Sequence, residues 1–175
     1  MAEENTPNSG NGAAQGEQTE RPDFSIQKVF IKDLSFEAPN SPEVFMHEWK
    51  GETNIQLNTG ARPIDEAAGA FEVELGLTVT TESEGKTAYL VEIKQAGVFI
   101  VRNFPEDQRN HLLGAYCPNV LFPFARETVA DLVLKGGFPQ LLLQPVNFES
   151  LYAQHLKEQQ QGQAAGGQEA PTQQA

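Results

Sequence analysis

AFEVELGLTVTTESEGKTAYLVEIKQAGVFIV, residues Ala70 to Val101, repeats with a period of two over most of its length. Phe71, Val73, Leu75, Leu77 and Val79 fall on one side. Glu72, Glu74, Gly76, Thr78 and Thr80 fall on the other. That alternation is the signature of a strand with one face buried. Ser83-Glu84-Gly85-Lys86 supplies a tight turn. The return strand runs from Thr87 to Val101, with Tyr89, Val91 and Ile93 pointing one way and Leu90, Glu92 and Lys94 the other. Ala96-Gly97 reads as a bulge in it. The stretch is an antiparallel hairpin, and the rest of the fold must be built around it.

Upstream, Phe24 to Phe36 places Phe24, Ile26, Phe30, Leu34 and Phe36 on one parity and Val29, Ile31, Asp33, Ser35 and Glu37 on the other. A short strand with one polar face is expected over Thr53–Thr59. Glu37–Glu52 and Gly60–Gly69 read as loops, broken by Pro39, Pro42, Gly51 and Pro63. Downstream the period changes. Asn103 can cap a helix, Pro105 suits its first turn, and Glu106 and Asp107 suit its positive end. Leu113, Cys117, Val120, Leu121, Phe124, Thr128 and Leu132 follow near helical spacing. Pro118 and Pro123 should kink or restart this helix, and Gly136-Gly137 should end it. After an apolar loop, Phe138–Val146, Asn147 caps a final helix, Phe148–Leu156. About four antiparallel strands followed by two helices make an α+β fold.

The two ends differ from this middle. Met1–Pro22 and Lys157–Ala175 carry no large apolar residue beyond Met1, so neither can offset its chain entropy and both are expected to be disordered. One folded domain, Asp23–Leu156, remains. It holds ten Lys and Arg against eighteen Asp and Glu, within a chain of net charge −12. That sign argues against nucleic acid and anionic membranes and suits a basic partner. A single cysteine, Cys117, excludes an internal disulfide and fits a reducing compartment. The N-terminus has no basic, then apolar, signal pattern, and no run spans a bilayer. A soluble, cytosolic protein is expected.

The chemistry is sparse. His47, His111 and His155 are scattered and no metal-ligand spacing occurs. There is no GxGxxG, Walker or GxSxG motif. No enzyme activity, cofactor or metal is expected. Binding features stand out instead. Asp33 and Glu37 share a strand face, as do Leu90 and Glu92, which gives either solvated surface or an acidic patch for a basic peptide. Val44, Phe45 and Trp49 in one loop, and Leu141, Leu142 and Leu143 in another, either cover the local core or line a groove for apolar polypeptide. The strands also carry apolar residues on both faces, more than one helical layer can cover. Tyr89, Val91 and Ile93 are candidates for contact between copies of the chain.

KDLSFEAPNSPEVF (Lys32 to Phe45), LGAYCPNVLFPFARE (Leu113 to Glu127) and GFPQLLLQPVNFESLY (Gly137 to Tyr152) closely resemble the SecB protein-export chaperones, in order and over the whole folded part. The resemblance implies a two-layer fold assembled as a homotetramer, a dimer of dimers. It implies ATP-independent holding of unfolded secretory preproteins in the cytosol and their delivery to the motor SecA. By that likeness Asp33, Glu37, Leu90 and Glu92 meet SecA through its basic, zinc-bearing C-terminal tail. Trp49, Ile55, Leu57, Phe138, Leu141 and Leu143, with Val44, would line the client groove. The N-terminal arm is longer than the family pattern, and Leu142 stands where a polar residue is usual. Two other readings stay open: a SecB-like chaperone dedicated to one client such as an antitoxin, and a small α+β enzyme or carrier of a lipid-like ligand built around His111 and Tyr116.

Overall fold

The computed structural model describes residues 21–166. The expected N-terminal arm therefore lies, up to Glu20, outside the described residues, as does the tail beyond Gly166. Four strands, β1 (Asp23–Glu37), β2 (Gly51–Asp65), β3 (Ala70–Ser83) and β4 (Lys86–Arg102), form one antiparallel sheet in the order β1-β4-β3-β2. The hairpin of the opening stretch is its centre, so only β3 and β4 are paired on both sides. Helices α1 (Glu106–His111), α2 (Cys117–Lys135) and α3 (Phe148–Gly166) follow, with a π turn at Leu112–Tyr116 joining the first two. The expected α+β architecture holds.

The helical layer lies on one sheet face. Leu113, Cys117, Leu121, Ala125, Val129 and Val133 recur every four residues and are all buried. They meet Val73, Leu75, Leu77 and Val79 of β3 and Tyr89, Val91, Ile93 and Phe99 of β4. Each large apolar side chain so buried contributes about 1.5–3 kcal/mol. Phe124 and Leu134 fall off this stripe and stay exposed. Pro118 and Pro123 do not break the helix. The π turn, where the Cys117 N–H donates to the Leu112 carbonyl, widens the backbone just before Pro118. Pro123 is exposed, so the Asn119 carbonyl it leaves unpaired lies on the solvent side.

Several expectations need correction. Tyr89, Val91 and Ile93 are no surface for another copy, because they sit under the helices in the subunit's own core. Ala96-Gly97 is no bulge: β4 pairs without interruption there, Val29 opposite Gly97 and Phe30 opposite Ala96. In the β1–β4 pairing the irregularities lie on β1, where Gln27 and Lys32 are extra residues. Each shifts the alternation by one. Phe24 and Ile26 face the helices, then Val29 and Ile31, then Leu34 and Phe36, while Phe30 turns to the outer face. β2 runs on past Thr59 through Gly60 and Pro63, which an edge strand tolerates because one row of its backbone groups needs no partner. Asn103 takes a left-handed φ of 59° and turns the chain without capping the helix. Asn147 does cap α3, accepting from the Ser150 N–H at 3.0 Å. That helix continues to Gly166 instead of ending at Leu156, because the Lys, Glu, Gln and Ala beyond it are good helix formers extending a nucleated helix.

Candidate functional site

The first candidate surface grows from the end of α2. Gly137 adopts φ +86°, a conformation that favours glycine. The Phe138 N–H then reaches back to the Val133 carbonyl (3.2 Å) and the Gly137 N–H to Leu134 (3.1 Å), a Schellman-type stop. This turn drives Phe138 inward. Its ring lies 4.8 Å from Tyr89, 5.0 Å from Phe45, 5.5 Å from Trp49 and 6.5 Å from Phe36, centroid to centroid. Exposure rises outward across the cluster, from 3% at Phe138 to 37% at Trp49 and 48% at Phe45. A buried anchor thus holds two rings at the surface. Trp49 lies so close to Gly51 that a Cβ there would stand 2.5 Å from its indole, which seats the ring at the start of β2.

Ile55 and Leu57 continue along the helix side of β2, opposite Val79 and Leu77. The helices do not cover this edge strand, so Ile55 is exposed and Leu57 half-buried. Leu57 opens into a cleft of about 840 Å³ between β2, the π turn and α3, lined further by Phe71, Leu113, Leu151 and Tyr152. Tyr152 packs on Gly114, and His111 Nε2 meets Glu149 at 2.6 Å, fixing α3 as the far wall.

The expected groove residues therefore divide. Trp49, Ile55, Leu57 and Phe138 line or anchor this apolar band, whereas Val44 is half-buried against the core. Leu141 is half-buried against the core, and Leu143 is buried in it, so Leu143 is corrected from groove to interior. Leu142, between them, points outward at 56% exposure. Its loop meets alternating environments, so only every second leucine can reach the surface. Phe45, a candidate by its loop but outside the groove that the resemblance implies, touches the same anchor as Trp49. Its position four residues before Trp49 was the available signal.

The second surface is the sheet face away from the helices. Pairing sets Glu37 opposite Leu90, Ser35 opposite Glu92 and Asp33 opposite Lys94. Asp33, Glu37 and Glu92 are exposed and Leu90 is half-buried. The four residues expected to act together thus share one face and adjoining rows. Farther along this face, Glu72 is nearly buried beneath two cations. Arg62 Nε lies 2.5 Å from it, and Lys32 Nζ bridges it at 3.2 Å to Glu74 at 2.9 Å. Burial pushes the Glu72 carboxyl up, but the hydrogen bonds from Lys32 and Arg62 more than offset this and hold it below its ordinary value. Stability from a carboxyl lowered on folding is present above the unfolded pKa and lost as pH falls through the folded one. Glu72→Gln is therefore expected to flatten the fall of unfolding free energy below about pH 4.5, read from denaturant melts across acid pH. A slope equal to that of the unmodified chain refutes this.

Cys117 lies at the helix–sheet interface, where burial pushes its thiol up to about 12, so it packs as a small apolar group. Among the described residues no cluster of His, Cys, Asp and Glu could hold a metal ion. No described helix is long and apolar enough to cross a membrane.

Comparison with known proteins bears on these two surfaces. A family profile described as preprotein translocase subunit SecB matches residues 17–159. The protein-export protein SecB of Thioalkalivibrio sulfidiphilus is 61% identical over 158 residues, covering 89% of this chain and 93% of the relative. That of Alcanivorax borkumensis is 56% identical, covering 81% and 90%. Among solved structures, the SecB-like chaperone of Mycobacterium tuberculosis, in complex with an antitoxin peptide, superposes with a TM-score of 0.60. It covers 70% of this chain and 90% of the other at 14% identity, a likeness of fold. The chain belongs to the SecB family.

Proposed function

We propose that this protein is a protein-export chaperone of the cytosol that binds unfolded secretory preproteins without ATP and passes them to SecA. The observation that carries the reading is the graded aromatic cluster, a buried Phe138 holding Trp49 and Phe45 at the surface beside the uncovered face of β2. Unfolded chains expose apolar side chains and unpaired backbone. An apolar band running beside a free strand edge receives both, with no demand on sequence. Native proteins hide those groups, so folding of the client ends the interaction.

The acidic outer face, Asp33, Glu37, Leu90 and Glu92, fits the basic tail of SecA by charge. Self-association into a homotetramer, a dimer of dimers, is supported by the apolar area the single chain leaves open. Ile26, Ile31 and Leu34 on β1 and Tyr116, Phe124 and Leu134 on the helical layer are all exposed. Several such grooves on one assembly would hold a long client tightly while each contact remains exchangeable.

The test is to dilute an unrelated, slow-folding denatured protein into the purified assembly, with no nucleotide present. Refolding is expected to be retarded in proportion to the chaperone added, and several unrelated clients should behave alike. Refolding at the unassisted rate, with the assembly intact, would remove the proposal. Retardation of a single client among many would favour a dedicated chaperone.

A further inference from the structure

We infer that Lys94 sets the strength with which the acidic outer face docks its basic partner, as a positive charge built into the patch. The inference rests on the docking role proposed above. Lys94 stands directly opposite Asp33 in the β1–β4 pairing, and Glu92 lies two residues along the same strand face. Residues so opposed have Cβ atoms about 4.5–5.5 Å apart. The Lys94 side chain therefore rises from among the rows of the patch, and its charge acts on a scale comparable with the Debye length, about 8 Å in physiological salt.

The ammonium is not consumed by the patch. The Asp33 carboxylate accepts instead from the Leu34 N–H at 3.1 Å, and among the described residues Lys94 takes part in none of the ion pairs. Neighbouring cations differ. Lys32 is held between Glu72 and Glu74, and Arg62 is held by Glu72. Lys28 is exposed on the same face, but it sits opposite Val98, four residues along β4 from Lys94 and so about 13 Å away. Among the described residues Lys94 alone projects an uncommitted positive charge among Asp33, Glu37 and Glu92. An incoming lysine or arginine meets repulsion where it would otherwise meet only carboxylates. The consequence is a face that attracts a basic tail yet releases it readily, as a hand-over requires.

The experiment titrates SecA onto the full chain at low and at high salt, for the unmodified protein, Lys94→Gln, Lys94→Arg and the double variant Asp33→Ala/Glu37→Ala. Lys94→Gln is expected to bind about threefold tighter at low salt, with the gain vanishing at high salt. Lys94→Arg should match the unmodified protein, because charge and not the stem matters. The double variant should bind more weakly. Thermal melting should be unchanged throughout, since all three positions are exposed. A Lys94→Gln variant no tighter than the unmodified chain, beside a weakened double variant, overturns the role of Lys94 and leaves the docking face standing. A double variant of undiminished affinity removes the docking face, and this inference with it.

Discussion

Phe138→Ala is expected to destabilise the chain by about 3–5 kcal/mol, read from denaturant unfolding. The ring is 3% exposed and is the common neighbour of Phe36, Phe45, Trp49 and Tyr89. Its removal leaves a void bounded by two surface rings, the half-buried Phe36 and the buried Tyr89. Only the surface rings can move in to fill it, and they would then be withdrawn from the band. Client holding is thus expected to fall together with stability. Trp49→Ala separates the two effects. At 37% exposure and on the outer side of the anchor, Trp49 contributes less to the interior, and stability should drop by about 1 kcal/mol while refolding clients are held several-fold less well. Equal stability losses in the two variants would mean that the cluster is ordinary core throughout.

Gly97→Val should be the most damaging change in the sheet, at about 3 kcal/mol or above. A Cβ at Gly97 would lie 2.7 Å from the Phe99 ring and 3.1 Å from Leu121. Both neighbours are fully buried, so neither can retreat into solvent. Glycine inside a strand ordinarily costs about 0.5–1 kcal/mol relative to alanine, and valine is the better strand former. Overpacking outweighs that gain here, because the added atoms would prise α2 off β4. Gly60→Val is the matched control. A Cβ there meets nothing within 4 Å, on edge strand β2, and the change should be neutral or mildly stabilising. Comparable loss in both variants would show that backbone freedom, and not the closeness of α2, keeps glycine at 97.

The hairpin was legible because Phe71 to Val79 and Tyr89 to Ile93 alternate without a fault, and alternation fixes faces. The same alternation sets Asp33 and Glu37 on one face of β1 and Leu90 and Glu92 on one face of β4, but only the β1–β4 register joins the two pairs into one surface. What failed did so for local reasons. Parity along β1 puts Phe30 on the wrong face because an extra residue in a strand leaves no mark in composition. Alternation alone leaves Tyr89, Val91 and Ile93 open to another copy, because the sequence cannot say which face a helix will cover. Leu143 looks like Leu142 in any pattern, and only the path of the loop distinguishes them. The continuation of β2 through Gly60 and Pro63 depends on its place at the sheet edge, a property of topology.

The two supernumerary residues of β1 have a consequence for how this chain can vary. Because Gln27 lies between Ile26, opposite Phe99, and Lys28, opposite Val98, its excision would join two residues that already alternate correctly. Every other side chain of the strand would keep its side. Among the described residues the Gln27 side chain hydrogen-bonds only to the Ser25 hydroxyl, whereas Lys32, equally redundant in pairing, carries the ion pairs to Glu72 and Glu74. One-residue gaps between kindred sequences are thus to be sought at position 27, in the middle of a strand, where alignments usually forbid them.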